Sequence, residues 1–180
     1  DPAALVAAVE RTVAEFGRLD VAVSNAGIAV FGPLEEVTLA DVDRTLAIHT
    51  RAAFVLAQAA ARHLPSGGRI IIVGSGLADR VPFEGCALYA MSKSALAGLV
   101  KGLARDLGPR GITANLVQPG PTDTEMNPAD GPKADLERSF TALGRYADPE
   151  DIAGMVAHLA GDGGRNITGA SLAVDAGWAA

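Results

Sequence analysis

Apolar positions along the chain switch between two spacings, and each switch marks the end of one element and the start of another. Leu5, Val6, Val9, Val13 and Phe16 recur at helical intervals. Asp1-Pro2 ahead of them is a cap residue followed by the residue favoured at the first helical position, and Gly17 supplies a stop. The pattern predicts an amphipathic helix of about four turns. Leu19 to Ser24 is then a short β-rich run that breaks at Asn25-Ala26-Gly27, the pattern of a buried strand ending in a loop. The same unit recurs. A helix is predicted from about Leu39 to His63, capped near Thr38 with Asp41 three residues on, and Pro65-Ser66-Gly67-Gly68 leads from it to the strand Arg69 to Val73. Another helix runs from about Ala87 to Leu107, and Gly108-Pro109-Arg110-Gly111 separates it from a strand at Ile112 to Val117. A last helix opens at Asp148-Pro149, and the strand Ser171 to Val174 follows Thr168-Gly169.

Continuously apolar strands that alternate with helices of ten or more residues predict right-handed crossovers and an open parallel sheet covered on both faces. The expected fold is therefore α/β, a doubly wound Rossmann-like sheet in three layers, with residues 1–180 forming one domain. Ligands in such sheets bind beyond the carboxyl ends of the strands. The segments to inspect are SNAG at 24–27, GSG at 74–76 and QPGPTDTEMNP at 118–128.

Composition narrows the function. With 180 residues, 49% hydrophobic, 20% charged and 4% aromatic, the chain has enough apolar material for one sizeable core of closely packed helices and sheet. A formal net charge of −6 with scattered basic residues argues against nucleic-acid binding. Cys86 is the single cysteine, which excludes an internal disulfide and a zinc site built on cysteine pairs. It reads as a small buried thiol rather than a nucleophile. His63 and His158 have no neighbouring ligand pattern, so no metal site is expected. No apolar run reaches membrane-spanning length and the opening lacks the features of a secretion signal, so a cytoplasmic protein without membrane partners is expected.

The candidate chemistry lies in ALYAMSK, residues 87–93. Tyr89 and Lys93 are four residues apart and share a face of the predicted helix. A neighbouring ammonium favours phenolate and lowers a tyrosine pKa from its usual value near 10, so the pair can exchange a proton with a carbonyl or hydroxyl oxygen. Ser75, just past a strand end, brings a hydroxyl toward the same point.

Ser24-Asn25-Ala26-Gly27, Ser75, Tyr89-x-x-x-Lys93 and Pro119-Gly120-Pro121-Thr122-Asp123-Thr124 occur in the order and spacing of the short-chain dehydrogenase/reductase family, which the chain resembles along essentially its whole length. The resemblance implies an NAD(P)-dependent oxidoreductase that interconverts a small ketone and a secondary alcohol. It implies that Tyr89 is the general acid or base, that Lys93 lowers the Tyr89 pKa and binds the nicotinamide ribose, and that Ser75 orients the substrate oxygen. Asn25, Ala26 and Gly27 would lie beside the cofactor, and Pro119, Gly120, Thr122 and Thr124 would contact its nicotinamide side and pyrophosphate. The Glu125 to Arg145 segment would form the substrate wall, and homodimers or homotetramers would pack through the two long helices.

Three departures from the family pattern stand out. The spacing from Ser75 to Tyr89 is one residue longer than the commonest, which implies a loop insertion. Where the family usually has an Asn that helps hold a water linking the lysine to solvent, this chain reads Ala47-Ile48-His49-Thr50. His49 either preserves a relay or fills space. The glycine-rich TGxxxGxG loop is absent, together with about the first quarter of the family pattern, three strands included, and the residues that choose between NAD and NADP. On that comparison the first strand here would have an unpaired edge. The stretches at 102–132 and 137–161 are also similar to a subgroup that includes a cyclic di-GMP-binding biofilm-dispersal protein, so cyclic-dinucleotide binding is the alternative function.

Overall fold

The computed structural model describes residues 1–180, and its elements follow the predicted order. Helix α1 spans Pro2–Phe16, with the Asp1 carboxylate accepting from the Ala3 amide and Gly17 ending it in the left-handed conformation, φ 75°. Strand β1 spans Val21–Ser24, β2 Arg69–Val73, β3 Thr113–Pro119 and β4 Ser171–Val174. All pairings are parallel in the order β1-β2-β3-β4, with Val21 beside Arg69, Ile71 beside Asn115 and Val117 beside Leu172. The outer edge of β1 has no partner strand.

Alternation along the strands divides the core between two faces. On one, Ile70, Ile72, Ala114 and Leu116 pack with Ala53, Ala57 and Ala60 of α3 (Ala52–Ala60) and with Leu96 and Val100 of α4 (Ala87–Leu107). The alanines let α3 approach closely, and each buried Ile or Leu contributes about 1.5–3 kcal/mol. On the other face, Ile71 and Val117 meet Leu159, Ile152 and Val156 of α6 (Pro149–Ala160). Helices therefore cover the sheet from both sides, giving the expected three layers. Asn115, fully buried in β3, donates to the Ile167 carbonyl at 2.6 Å and accepts from the Ala170 amide at 3.2 Å, which anchors the approach to β4. No helix is long and apolar enough to cross a membrane.

The helix expected from Leu39 to His63 is broken into parts. Its start is as predicted: the Thr38 hydroxyl accepts from the Asp41 amide at 3.1 Å and the Asp41 carboxylate accepts from the Thr38 amide at 3.2 Å, opening α2 (Leu39–Leu46). A π-helical turn over Ala47–Arg51 then separates α2 from α3, with the Ala52 amide reaching back to the Ala47 carbonyl. Its residues bond sideways: Thr50 donates to the Ser92 carbonyl at 3.1 Å, and the His49 ring reaches Ile28 and Ser92. These tertiary bonds hold the wide turn, and wide turns of this kind occur often at functional sites. Within the segment expected to be irregular, Ala134–Ser139 forms a short helix, α5, whose polar sequence carries no apolar repeat.

Candidate active site

Burial of Leu88, Ser92, Leu96 and Val100 fixes the rotation of α4 against the sheet and directs Tyr89 and Lys93 to the carboxyl end of β2. Gly74 turns the chain there, where a Cβ would stand 3.0 Å from the Leu116 side chain. Ser75 follows in extended conformation and accepts from the Leu77 amide at 3.2 Å, which holds its hydroxyl at the mouth of the site. The Lys93 side chain is buried and its Nζ donates to the Val73 carbonyl at 3.2 Å.

A cleft of about 1180 Å³ opens over these strand ends. Every sequence-predicted site residue except His49 lines it: Asn25, Ala26 and Gly27 after β1; Ser75 after β2; Tyr89 and Lys93 from α4; Pro119, Gly120, Thr122 and Thr124 after β3. Gly120 permits a close approach, because a Cβ there would lie 2.7 Å from the Asp175 backbone. The Thr122 hydroxyl donates to the Gly120 carbonyl at 3.0 Å, while the Asp123 amide donates to the Ala147 carbonyl at 3.0 Å and the Ala147 amide to the Pro121 carbonyl at 2.9 Å, which pins the loop. Glycine-containing loops at strand ends that carry hydroxyls into the cleft suit a dinucleotide's ribose and phosphates.

The electrostatics differ from the expectation in one respect. Burial pushes the Tyr89 phenol above its ordinary value, and the nearby Ser75 hydroxyl only partly offsets it. Lys93 does not lower it: Nζ lies 5.8 Å from the centroid of the phenol ring and is turned toward the Val73 carbonyl. Burial instead weakens the lysine itself, bringing its pKa down to about 8. Burial also pushes the Cys86 thiol up, which suits an inert buried sulfur at the start of α4 rather than a nucleophile.

His49 stands behind the cleft and is buried. Its Nε2 accepts from the Ile28 amide at 3.0 Å, and its Nδ1 lies 2.8 Å from the Ser92 hydroxyl. Burial first, and the Lys93 charge second, push its pKa down to about 4, so the ring is neutral. A Cβ on Gly27 would meet His49 Nε2 at 3.4 Å and Lys93 Nζ at 3.5 Å, which places both side chains against the SNAG loop.

Sequence reasoning missed the aromatic wall of the cleft. Phe83, Phe140 and Trp178 form a cluster with ring centroids 5.8–6.1 Å apart. Arg80 donates to the Trp178 carbonyl at 2.6 Å and to the Phe140 carbonyl at 3.2 Å, and the indole donates to the Arg80 carbonyl at 3.3 Å. Phe31 packs against Tyr89 with centroids 5.1 Å apart. Across the cleft, Glu137 accepts from the Asn127 amide at 2.7 Å and the Tyr146 phenol at 2.9 Å, and Arg138 covers the Tyr146 ring. The Glu125 to Arg145 segment is thus internally braced. No motif signals these contacts; they join residues up to 98 positions apart.

Comparisons with known proteins agree with this geometry. A family model described as enoyl-(acyl carrier protein) reductase matches residues 1–179. The cyclic-di-GMP-binding biofilm dispersal mediator protein of Escherichia coli (strain K12) is 50% identical over 96% of this chain and 73% of its own length. The D-threitol dehydrogenase of Mycolicibacterium smegmatis is 37% identical over 99% of this chain and 70% of its own length. A crystal structure of a short-chain dehydrogenase from Burkholderia cenocepacia J2315 in complex with NADP superimposes with a TM-score of 0.99 at 54% identity, over 100% of this chain and 74% of that one. By fold, site layout and sequence, the chain belongs to the short-chain dehydrogenase/reductase family of NAD(P)-dependent oxidoreductases.

Proposed function

We propose that this protein uses NADP(H) to interconvert a small ketone and a secondary alcohol, with Tyr89 as the proton donor and acceptor. The observation that carries the reading is the convergence of Ser75, Tyr89 and Lys93 in one cleft with the loops that follow β1 and β3. The choice of NADP rests on the structural neighbour bound to it. Asn25 to Gly27, Pro119, Gly120, Thr122 and Thr124 would hold the nicotinamide end. When bound, that group supplies the hydride.

The remaining work falls to the protein. Ser75 donates a hydrogen bond to the substrate oxygen and fixes its position. Tyr89, its pKa raised by burial, keeps its proton at neutral pH and delivers it to that oxygen during reduction. In the oxidative direction the phenol must first lose the proton, so oxidation gains from higher pH. Lys93, its pKa lowered to about 8, is predominantly charged at neutral pH, where its ammonium would donate to the ribose hydroxyls. Phe31, Phe83 and Trp178 bound the substrate side with apolar surface and limit water. Phe54 of α3 and Met91 of α4, each about half exposed at 52% and 50%, offer apolar contacts for a homodimer or homotetramer, which sedimentation would detect.

Cyclic di-GMP binding is the second reading, favoured by the 50% identity to a relative named for it. NADPH fluorescence titration and a ketone panel separate the two readings. NADPH-dependent reduction supports the enzyme; binding of cyclic di-GMP with no ketone reduced supports the other.

A further inference from the structure

The hydrogen bonds around His49 have a direction. The Ile28 amide can only donate, so Nε2, 3.0 Å away, presents a lone pair and carries no proton. The single proton of the neutral imidazole is then on Nδ1, which donates to the Ser92 hydroxyl at 2.8 Å. Ser92 in turn donates to the Tyr89 carbonyl at 2.7 Å. Donors and acceptors alternate without a gap from Ile28 through His49 and Ser92 to Tyr89. Both ring nitrogens are committed, and the fully buried serine spends its only proton on a backbone carbonyl. A proton passing through the imidazole would require Nε2 to gain one while facing an N–H at 3.0 Å, setting two donors against each other.

We infer that His49 is a positioning residue: fixed as the Nδ1–H tautomer, it ties the loop after β1 to the N-terminal part of α4 and relays no protons. This rests on the proposed oxidoreductase reading for its functional consequence but not for its geometry. The π-helical turn aims the ring at Ile28, and Thr50 on the same turn bonds the Ser92 carbonyl, so two adjacent residues grip the start of α4. One end of the chain of bonds fixes the backbone immediately after Gly27, on the cofactor side of the cleft. The other fixes the carbonyl of Tyr89 itself. The titratable groups facing the ring are Lys93 and Tyr89, both from α4. Proton exchange between Lys93 and solvent must therefore run past the imidazole rather than through it.

Long-range proton–nitrogen correlation spectra of histidine-labelled protein test the tautomer without any turnover, with His49→Asn identifying the signal among the three histidines. The expected spectrum shows a protonated Nδ1 and a bare Nε2 from pH 8 down to about pH 5.5, which is well above the lowered His49 pKa. An Nε2–H tautomer, an exchanging mixture, or titration near pH 6.5 overturns the inference. On the same protein, His49→Phe is expected to weaken NADPH binding and to lower kcat about 10- to 100-fold, the scale of a small misplacement. Adding Ser92→Ala should cost little more, because the chain of bonds is already broken. His49→Gln, whose carbonyl can take the Ile28 amide, should recover part of the affinity. The kcat–pH profile should keep its shape in all three variants. Loss of an inflection near pH 6.5, or a fall in melting temperature with NADPH affinity and kcat unchanged, contradicts the positioning role.

Discussion

The Lys93 ammonium donates to the carbonyl of Val73 at 3.2 Å, so the proposed catalytic helix is bonded to the strand end that delivers Ser75. Burial, and not pairing with Tyr89, governs the lysine. Its pKa in the folded state is about 8, against an ordinary 10.5. The folded protein binds this proton less tightly than the unfolded chain does. The group's contribution to stability is therefore complete above about pH 10.5 and is lost as pH falls toward 8. Thermal melts at several pH values should show wild type gaining on Lys93→Met as pH rises through that window. A difference independent of pH would contradict the lowered pKa.

Tyr146→Phe tests the brace on the segment over the cleft. It removes the phenol's bonds to Glu137 at 2.9 Å and to the Asn127 Oδ1 at 3.4 Å, and leaves the bond between Asn127 and Glu137 in place. The expected cost is about 1 kcal/mol of stability. The KM for substrate should rise more than kcat falls, because the segment positions substrate rather than moving protons. Melting curves and initial rates check both effects.

Gly120→Ala places a methyl group 2.7 Å from the Asp175 backbone, and backbone does not yield as a flexible side chain would. Overpacking of this kind costs about 1–3 kcal/mol. The loop after β3 should shift, and NADPH affinity should fall with it. Unchanged affinity in a fluorescence titration would show that this loop does not hold the cofactor.

Local signals account for the parts of the fold that were legible in the sequence. The Asp1-Pro2 start, the Thr38/Asp41 box and the apolar strand Arg69 to Val73 each encode their element within a few residues, and the structure reproduces them. Strand-end loops in a parallel sheet then had to converge, which is why ten of the eleven predicted site residues share one cleft. The rest depends on tertiary contact. Nothing in Ala47 to Arg51 announces a π-helical turn; the bonds of His49 and Thr50 to distant partners create it. The same holds for Trp178, which lines the cleft where distant Arg80 bonds its carbonyl and Leu143 bonds the carbonyl of Ala176. The Tyr89 pKa was misjudged for a related reason: helical spacing puts Lys93 on the same face, but burial is invisible from spacing alone.

The most direct test of the account is Tyr89→Phe, which removes one oxygen and keeps the ring against Phe31 and His49. Ketone reduction by NADPH should fall about 10²- to 10⁴-fold, the usual contribution of a positioned acid, while NADPH affinity stays within about twofold of wild type. Turnover retained at the wild-type rate would contradict the assignment of Tyr89 as the proton donor.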